Sequence, residues 1–213
     1  MRLIGMLDSP YVRRVAISLE HLGIRFEHEA VSVFATFERF HGINPVVKAP
    51  TLVCDDGEVL MDSSLILQFI EAAPDCKRSL WPRNPMELQH DFRAVGLALA
   101  ACEKSVQIVY ERNLRPKSAQ YEPWIARVTG QLLAAYAGLE YEVQQRPAAF
   151  SAADSHASIA AAVAWQFTQS MLAELVVASW HPALVALSAR QDETLQFRKY
   201  PPAGPGVSAA NTA

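Results

Sequence analysis

Apolar and polar residues follow one rhythm over the first third of the chain and another over the rest. Residues 1–7 form an apolar run closed by Asp8-Ser9-Pro10, which predicts a short buried strand. Val12, Val15, Ala16 and Leu19 then recur at i, i+3, i+4 and i+7, the spacing of one helix face. Arg13, Arg14, Ser18 and His21 fall on the other face, and Gly23 stands where a left-handed C-cap is wanted. Residues 24–31 alternate apolar with charged, as a second strand would. Residues 35–41 predict a short helix ended by Gly42, with Asn44-Pro45 following. Two apolar runs, 51–54 and 58–61, flank Asp55-Asp56-Gly57 and predict a hairpin. Asp62-Ser63 opens a helix with Leu65, Ile66, Phe69 and Ile70 on one face, stopped at Pro74. The order β-α-β-α-β-β-α makes residues 1–76 a compact α/β unit.

Composition shifts at residues 77–85, rich in Pro, Lys, Arg and Asn, and this stretch reads as a linker. Residues 86–200 are helical in pattern throughout. Trp124, Val128, Leu132, Ala135 and Leu139 make one stripe, and Ile159, Ala162, Val163 and Phe167 another. Ser151-Ala-Ala-Asp154 precedes that second stripe as a capping box with Asp in the Glu position, which casts Asp154 as a folding residue. Trp165, Trp180 and Tyr110 are expected to pack in the helical core, although Tyr110 also suits a pocket wall. Residues 201–213 lack charge and core formers and are expected to fray. The fold class is therefore α/β followed by all-α.

Charge excludes one class of partner. Residues 1–76 carry six Lys/Arg against eleven Asp/Glu, the remainder thirteen against eleven, for a formal net charge of −3. No basic stripe for nucleic acid follows from this. Cys54, Cys76 and Cys102 are far apart, with no CxxC, and the six histidines show no HExxH, so no metal is expected. The apolar runs fall short of a membrane span, and the start of the chain lacks a signal-peptide core. A reducing, cytoplasmic location is the expectation.

Five segments occur in a telling order: SPYVRRV after the first strand, NPVVKAPTL before the hairpin, DSSLILQFI after it, SLWPRNP in the linker, and SAAD before a later helix. Together they resemble the glutathione transferase family, and the SPYVRRV start is similar to its serine-type bacterial and plant tau-like members. The resemblance implies a thioredoxin-like N-terminal domain, an all-helical C-terminal domain and a homodimer. It implies an enzyme that joins glutathione, as co-substrate, to a small hydrophobic electrophile. A fold that has lost turnover and serves as a binding or scaffold protein is the alternative, as is another glutathione-dependent reaction such as dehalogenation or isomerisation.

Ser9 followed by Pro10 is N-cap followed by N1, which sets a hydroxyl at the positive end of a helix dipole. On the residues alone, an ordinary helix cap is an equal reading. The resemblance makes Ser9 the catalytic donor to the glutathione thiolate. An X–Pro bond is cis only ~5–6% of the time in folded proteins. The resemblance nonetheless makes Pro50 the cis-proline of thioredoxin-like folds, with the Ala49 backbone pairing with the cysteinyl part of glutathione. Asp62 and Ser63, a plain helix cap when read alone, become the holders of the γ-glutamyl group. Arg13 and Arg14 read as cations near this site, at least one of them solvated. The segment 34–40, FATFERF, departs from the tau-like pattern by lacking a lysine before Asn-Pro. Ser9 stands where omega-type members carry cysteine, and the Ser-Ser-Cys-Ser run of zeta-type isomerases is absent.

Overall fold

The structure, a computed structural model, describes residues 1–207. In chain order the elements are β1 (Arg2–Ile4), α1 (Pro10–Leu22), β2 (Glu27–Glu29), α2 (Phe37–Ile43), β3 (Thr51–Val53), β4 (Val59–Met61) and α3 (Ser63–Ala72). Then come α4 (Pro85–Leu114), α5 (Glu122–Gln145), α6 (His156–Leu172), α7 (Pro182–Asp192) and α8 (Leu195–Lys199). The chain divides into two compact units. One is Met1–Leu80 joined by Leu195–Gly206, the other Trp81–Thr194.

The first unit holds a four-stranded sheet in the order β2-β1-β3-β4, with β1 and β2 parallel and the other pairs antiparallel. Leu3 stands opposite His28 on one side and Leu52 on the other, and Leu52 faces Leu60. The apolar alternation thus sends Leu3 and Leu52, both fully buried, to one face. Ile4, Val31 and Phe40 form a second small cluster with Val33, Ile43 and Val47 packed on it.

Helix α1 begins and ends as its sequence dictates. Ser9 is the N-cap, Pro10 is N1, and Gly23 closes the helix in the left-handed region at φ 72°. Its polar face is not solvated, however. Arg13, Arg14, Ser18 and His21 are all buried, because the first unit covers α1 on this side as well. Arg14 reaches toward α3, and Arg13 lies over the Phe197 ring of α8 at 5.0 Å and donates to the Tyr200 carbonyl (2.7 Å).

Residues 195–206, read from pattern as helical domain and fraying tail, pack with the first unit instead. Phe197 and Tyr200 are buried, Tyr200 stacks on Phe26, and Lys199 and the Tyr200 hydroxyl both reach Glu20. Within residues 201–206, the Ala203 carbonyl accepts from Asp8 N–H and Gly206 N–H donates to the Asp8 carboxylate, which corrects the expectation of fraying there. Residues 208–213 of the expected tail lie outside the described residues.

The second unit is a helical bundle in which α4 packs on α5 and α6, and α7 on α5 and α6. Its stripes bury Val128, Leu132, Ala135 and Leu139 on α5, and Ile159, Ala162 and Val163 on α6, whereas Trp124 of the first stripe is exposed and Phe167 of the second half-buried. Polar residues stitch it where helices cross. The Tyr136 hydroxyl lies 2.6 Å from Thr168 Oγ1, which is 2.8 Å from Ser105 Oγ. Glu140 accepts from the first free N–H groups of α7, those of Ala183 (2.8 Å) and Leu184 (2.9 Å). The cap of α6 is Ser155, whose Oγ accepts from Ser158 N–H (3.0 Å), so the expected Ser151–Asp154 box is displaced by four residues. Trp165 is in the core as expected. Trp180 and Tyr110 are exposed, which corrects their assignment to it.

Candidate functional site

Three segments of the first unit, distant in sequence, come to the start of α1, at Val12 and Arg14. The first is its own cap. Ser9 has extended backbone (φ −72°, ψ 122°), and its Oγ accepts from Val12 N–H at 3.5 Å. So long a contact engages the oxygen weakly, and as an acceptor in it the hydroxyl keeps its own proton to donate.

The second segment approaches Val12. Gly5, at φ 140°, closes β1, and a Cβ built there would stand 2.6 Å from Val12 Cγ2 and 3.3 Å from Ala49 Cβ. Only glycine admits both neighbours, so Gly5 is the point where Ala49 and the first turn of α1 meet. The Ala49–Pro50 peptide is cis, as the resemblance implied and the general frequency did not. The loop leading to it is braced by two residues that sequence reasoning passed over. Buried Asn44 donates through Nδ2 to Thr51 Oγ1 (2.8 Å) and accepts from Val46 N–H (3.0 Å), while the Thr51 hydroxyl donates to the Lys48 carbonyl (2.7 Å). Asn before Pro, with a β-branched hydroxyl seven residues on, is the only trace of this brace in the sequence. Within the loop Val47 sits at φ 51°, an uncommon conformation for a β-branched residue. Lys48 is exposed.

The third segment is the start of α3. Asp62 is its N-cap at φ 64°, and its Oδ1 accepts from Ser64 N–H (2.9 Å). Positive φ at a non-glycine residue is a feature that clusters at binding sites. Ser63 is buried, and its Oγ accepts from Arg14 Nη1 (3.1 Å), which also donates to Ser64 Oγ (3.0 Å). Arg14 therefore brings a buried positive charge to a helix N-terminus that already favours anions. Its role was legible only as a cation somewhere near the site.

Asp8 precedes the cap. Burial pushes its carboxyl above the ordinary carboxylate range, against the lowering effect of the Gly206 and Ser9 backbone N–H groups. Around α1 the first unit thus assembles a capping hydroxyl, a backbone stretch beside a cis-proline, and a helix N-terminus backed by a guanidinium. That set suits a small anionic peptide carrying a nucleophile.

A thioredoxin-like sheet unit followed by a helical bundle is the architecture of glutathione transferases, and comparison with known proteins agrees. The profile of the glutathione S-transferase N-terminal domain matches residues 3–78. An uncharacterized GST-like protein of Escherichia coli, YibF, is 31% identical over 127 residues, which are 60% of this chain and 62% of YibF. The chain thus spans somewhat less than two thirds of that relative's length. A glutathione S-transferase of Methylobacterium radiotolerans, solved with glutathione sulfonate, is 26% identical with a TM-score of 0.84, covering 97% of both chains. A glutathione transferase family member of Pseudomonas fluorescens, solved with glutathione, is 25% identical with a TM-score of 0.82, covering 95% of this chain and 99% of that one. Residues 3–78 thus match a glutathione S-transferase N-terminal domain, and nearly the whole chain shares the fold of solved glutathione transferases.

Proposed function

We propose that this protein is a glutathione transferase acting on small hydrophobic electrophiles, with Ser9 as the hydroxyl that stabilises the glutathione thiolate. The observation that carries the reading is the attachment of the Ser9, Ala49–Pro50 and Asp62–Ser63 segments to the first turns of α1, through Val12, Gly5 and Arg14. In this reading the Ala49 backbone pairs with the cysteinyl unit, as an extended peptide pairs with a strand edge. The Asp62 carboxylate meets the α-amino group of the γ-glutamyl unit. Ser63 Oγ, with Arg14 already donating to it, has its own proton left for the γ-glutamyl carboxylate. Similar proteins crystallised with glutathione or its sulfonate support the same ligand.

The chemistry needs a thiolate at neutral pH. Lowering a thiol pKa by about 2 units takes about 2.7 kcal/mol of preferential stabilisation. A hydrogen bond to a charged group supplies ~1.5–3 kcal/mol, and a helix N-terminus ~0.3–1 kcal/mol. The Ser9 hydroxyl at the start of α1 combines both, so no separate general base is required. The thiolate then attacks the electrophile, forming the carbon–sulfur bond as a leaving group departs with its electron pair or, in an addition, as the π pair shifts to the adjacent atom and is protonated by water.

The test is retention on immobilised glutathione, turnover with a panel of electrophiles, and the Ser9→Ala variant. Retention is expected, with conjugation near neutral pH falling on the order of tenfold in Ser9→Ala as a charge-assisted hydrogen bond is lost. Glutathione affinity should change little. Retention without turnover on any electrophile would leave a glutathione-binding protein and remove the enzyme.

A further inference from the structure

The segment after α8 is built against the residue that precedes Ser9. Asp8 donates its backbone N–H to the Ala203 carbonyl (3.1 Å), and its Oδ2 accepts from Gly206 N–H (2.9 Å). Between these two bonds the chain passes so close that a Cβ on Gly204 would lie 2.0 Å from Asp8 Oδ2. Gly204 is not at positive φ, so the glycine is there for the close approach and not for backbone freedom. The segment is Pro-Pro-Ala-Gly-Pro-Gly, and three prolines limit the states it must give up on docking. Its root is anchored as well. Arg13, one turn into α1, holds the Tyr200 carbonyl, and the Tyr200 ring is stacked on Phe26.

We infer that residues 201–206 form a strap that positions Ser9 through Asp8, making Asp8 and Gly204 positioning residues for the thiolate donor. The inference rests on the reading of Ser9 as that donor. The Ser9 carbonyl accepts the first helical bond of α1, from Arg13 N–H (3.0 Å), but the other contacts of the Ser9 turn are longer. Its cap bond to Val12 is 3.5 Å long, and Ser9 N–H reaches the Met6 carbonyl at 3.2 Å. Two strap bonds on the adjacent residue fix the orientation in which Ser9 leaves β1 and enters α1. They also hold the Asp8 carboxylate against Gly206 N–H, fixed beside the turn from which Ser9 projects. The strap offers no charged side chain of its own to the ligand. Its effect is therefore on turnover and not on glutathione affinity.

The experiment uses the full chain with Gly204→Val, whose Cβ would overlap the Asp8 carboxylate so that strap or carboxylate must shift, and Asp8→Asn, which keeps the shape and loses the charged acceptor. Each is made alone and combined with Ser9→Ala. Glutathione affinity is measured by calorimetry, turnover with the best electrophile, and the bound thiol's pKa by ultraviolet thiolate absorbance. Both single variants should lower kcat about tenfold, the size expected when a reacting group is misplaced by a fraction of an ångström. The bound thiol should titrate higher, while glutathione affinity stays within about twofold, as expected for an interaction made only to the reacting group. Neither change should add to the loss in Ser9→Ala, because both act through the same hydroxyl. Since 201–206 lie at the surface, thermal melts should stay cooperative. Asp8→Asn serves alone should Gly204→Val fail to fold. Wild-type kcat and thiol pKa in the strap variants, with Ser9→Ala impaired, overturn the strap alone, and so does a loss that adds to that of Ser9→Ala. A fully active Ser9→Ala protein overturns the donor reading and the strap with it.

Discussion

At the scale of single residues, Arg14 does the most that its position in the pattern did not announce. It occupies the polar side of an amphipathic helix, yet it is buried and donates to two serine hydroxyls at the start of α3. A buried guanidinium with such partners both orients Ser63 and adds charge where an anionic group is expected. Removing it leaves the buried Ser63 and half-buried Ser64 hydroxyls without that donor and the proposed anion site without its cation. Arg14→Met, which keeps the length and apolar bulk of the stem, should weaken glutathione binding on the order of tenfold, since a hydrogen bond to a charged group is worth ~1.5–3 kcal/mol. Arg14→Lys should recover only part of it, because the shorter lysine stem does not carry its ammonium to where Nη1 stands between the two hydroxyls. Calorimetry decides. Unchanged affinity in Arg14→Met would make the residue a packing element only. Ser9 and Pro10 stand at the opposite extreme of legibility. Their roles as cap and N1 follow from local chemistry, so one dipeptide was enough to locate them.

At the scale of elements, helix α4 shows where a regular pattern hides a polar residue. Asp91 lies one helical turn before Ala94 and Val95 and two before Ala98, on the stripe that is buried. Burial, with a smaller contribution from the neighbouring Glu87 carboxylate, pushes its pKa from the ordinary 3.8 to about 6. The native state therefore holds a proton there between pH 4 and 6 that the unfolded chain has already released. Stability from this group is fully present below about pH 4 and is lost as pH rises through about 6. Asp91→Asn cannot ionise. It should match the wild type near pH 4 and exceed it at pH 7, by at most about 3 kcal/mol for a shift of two units. Urea melts at the two pH values test this, and a variant less stable than wild type at pH 7 would show that the carboxylate makes an interaction worth keeping.

At the scale of the whole molecule, exposed apolar residues support the proposal of a homodimer. On the first unit, Leu65 and Phe69 stand one turn apart on α3 and are 60% and 47% exposed, beside exposed Val59 and Met61 on β4. On the second, Met86 and Phe92 of α4 are 70% and 55% exposed. The acidic first third and weakly basic remainder favour a two-fold assembly in which each subunit's first unit meets its partner's second, and two-fold dimers are the commonest closed assemblies. Light scattering should give about twice the 23.5 kDa chain mass at micromolar concentration. Leu65→Lys with Phe69→Lys should halve it, and a monomeric wild type would set the proposal aside.

What the sequence determined by itself was whatever local physics controls. The strand and helix order, the Ser9-Pro10 start and Gly23 end of α1, the hairpin at Asp55-Asp56-Gly57, and the stripes of α5 and α6 all follow from spacing and backbone preference. The motif order then carried the resemblance to glutathione transferases, and with it the cis peptide at Pro50. Tertiary structure decided which polar faces are buried and what they touch. Arg13 and Arg14 read as surface cations until α8 and α3 are in place, since burial is a property of neighbours and not of period. The brace of Asn44 on Thr51 and the seat of Gly204 on Asp8 join residues 7 and 196 positions apart. Chain return over the longer distance leaves no local signal, because the energy that selects glycine at 204 comes entirely from an atom on the other end of the chain.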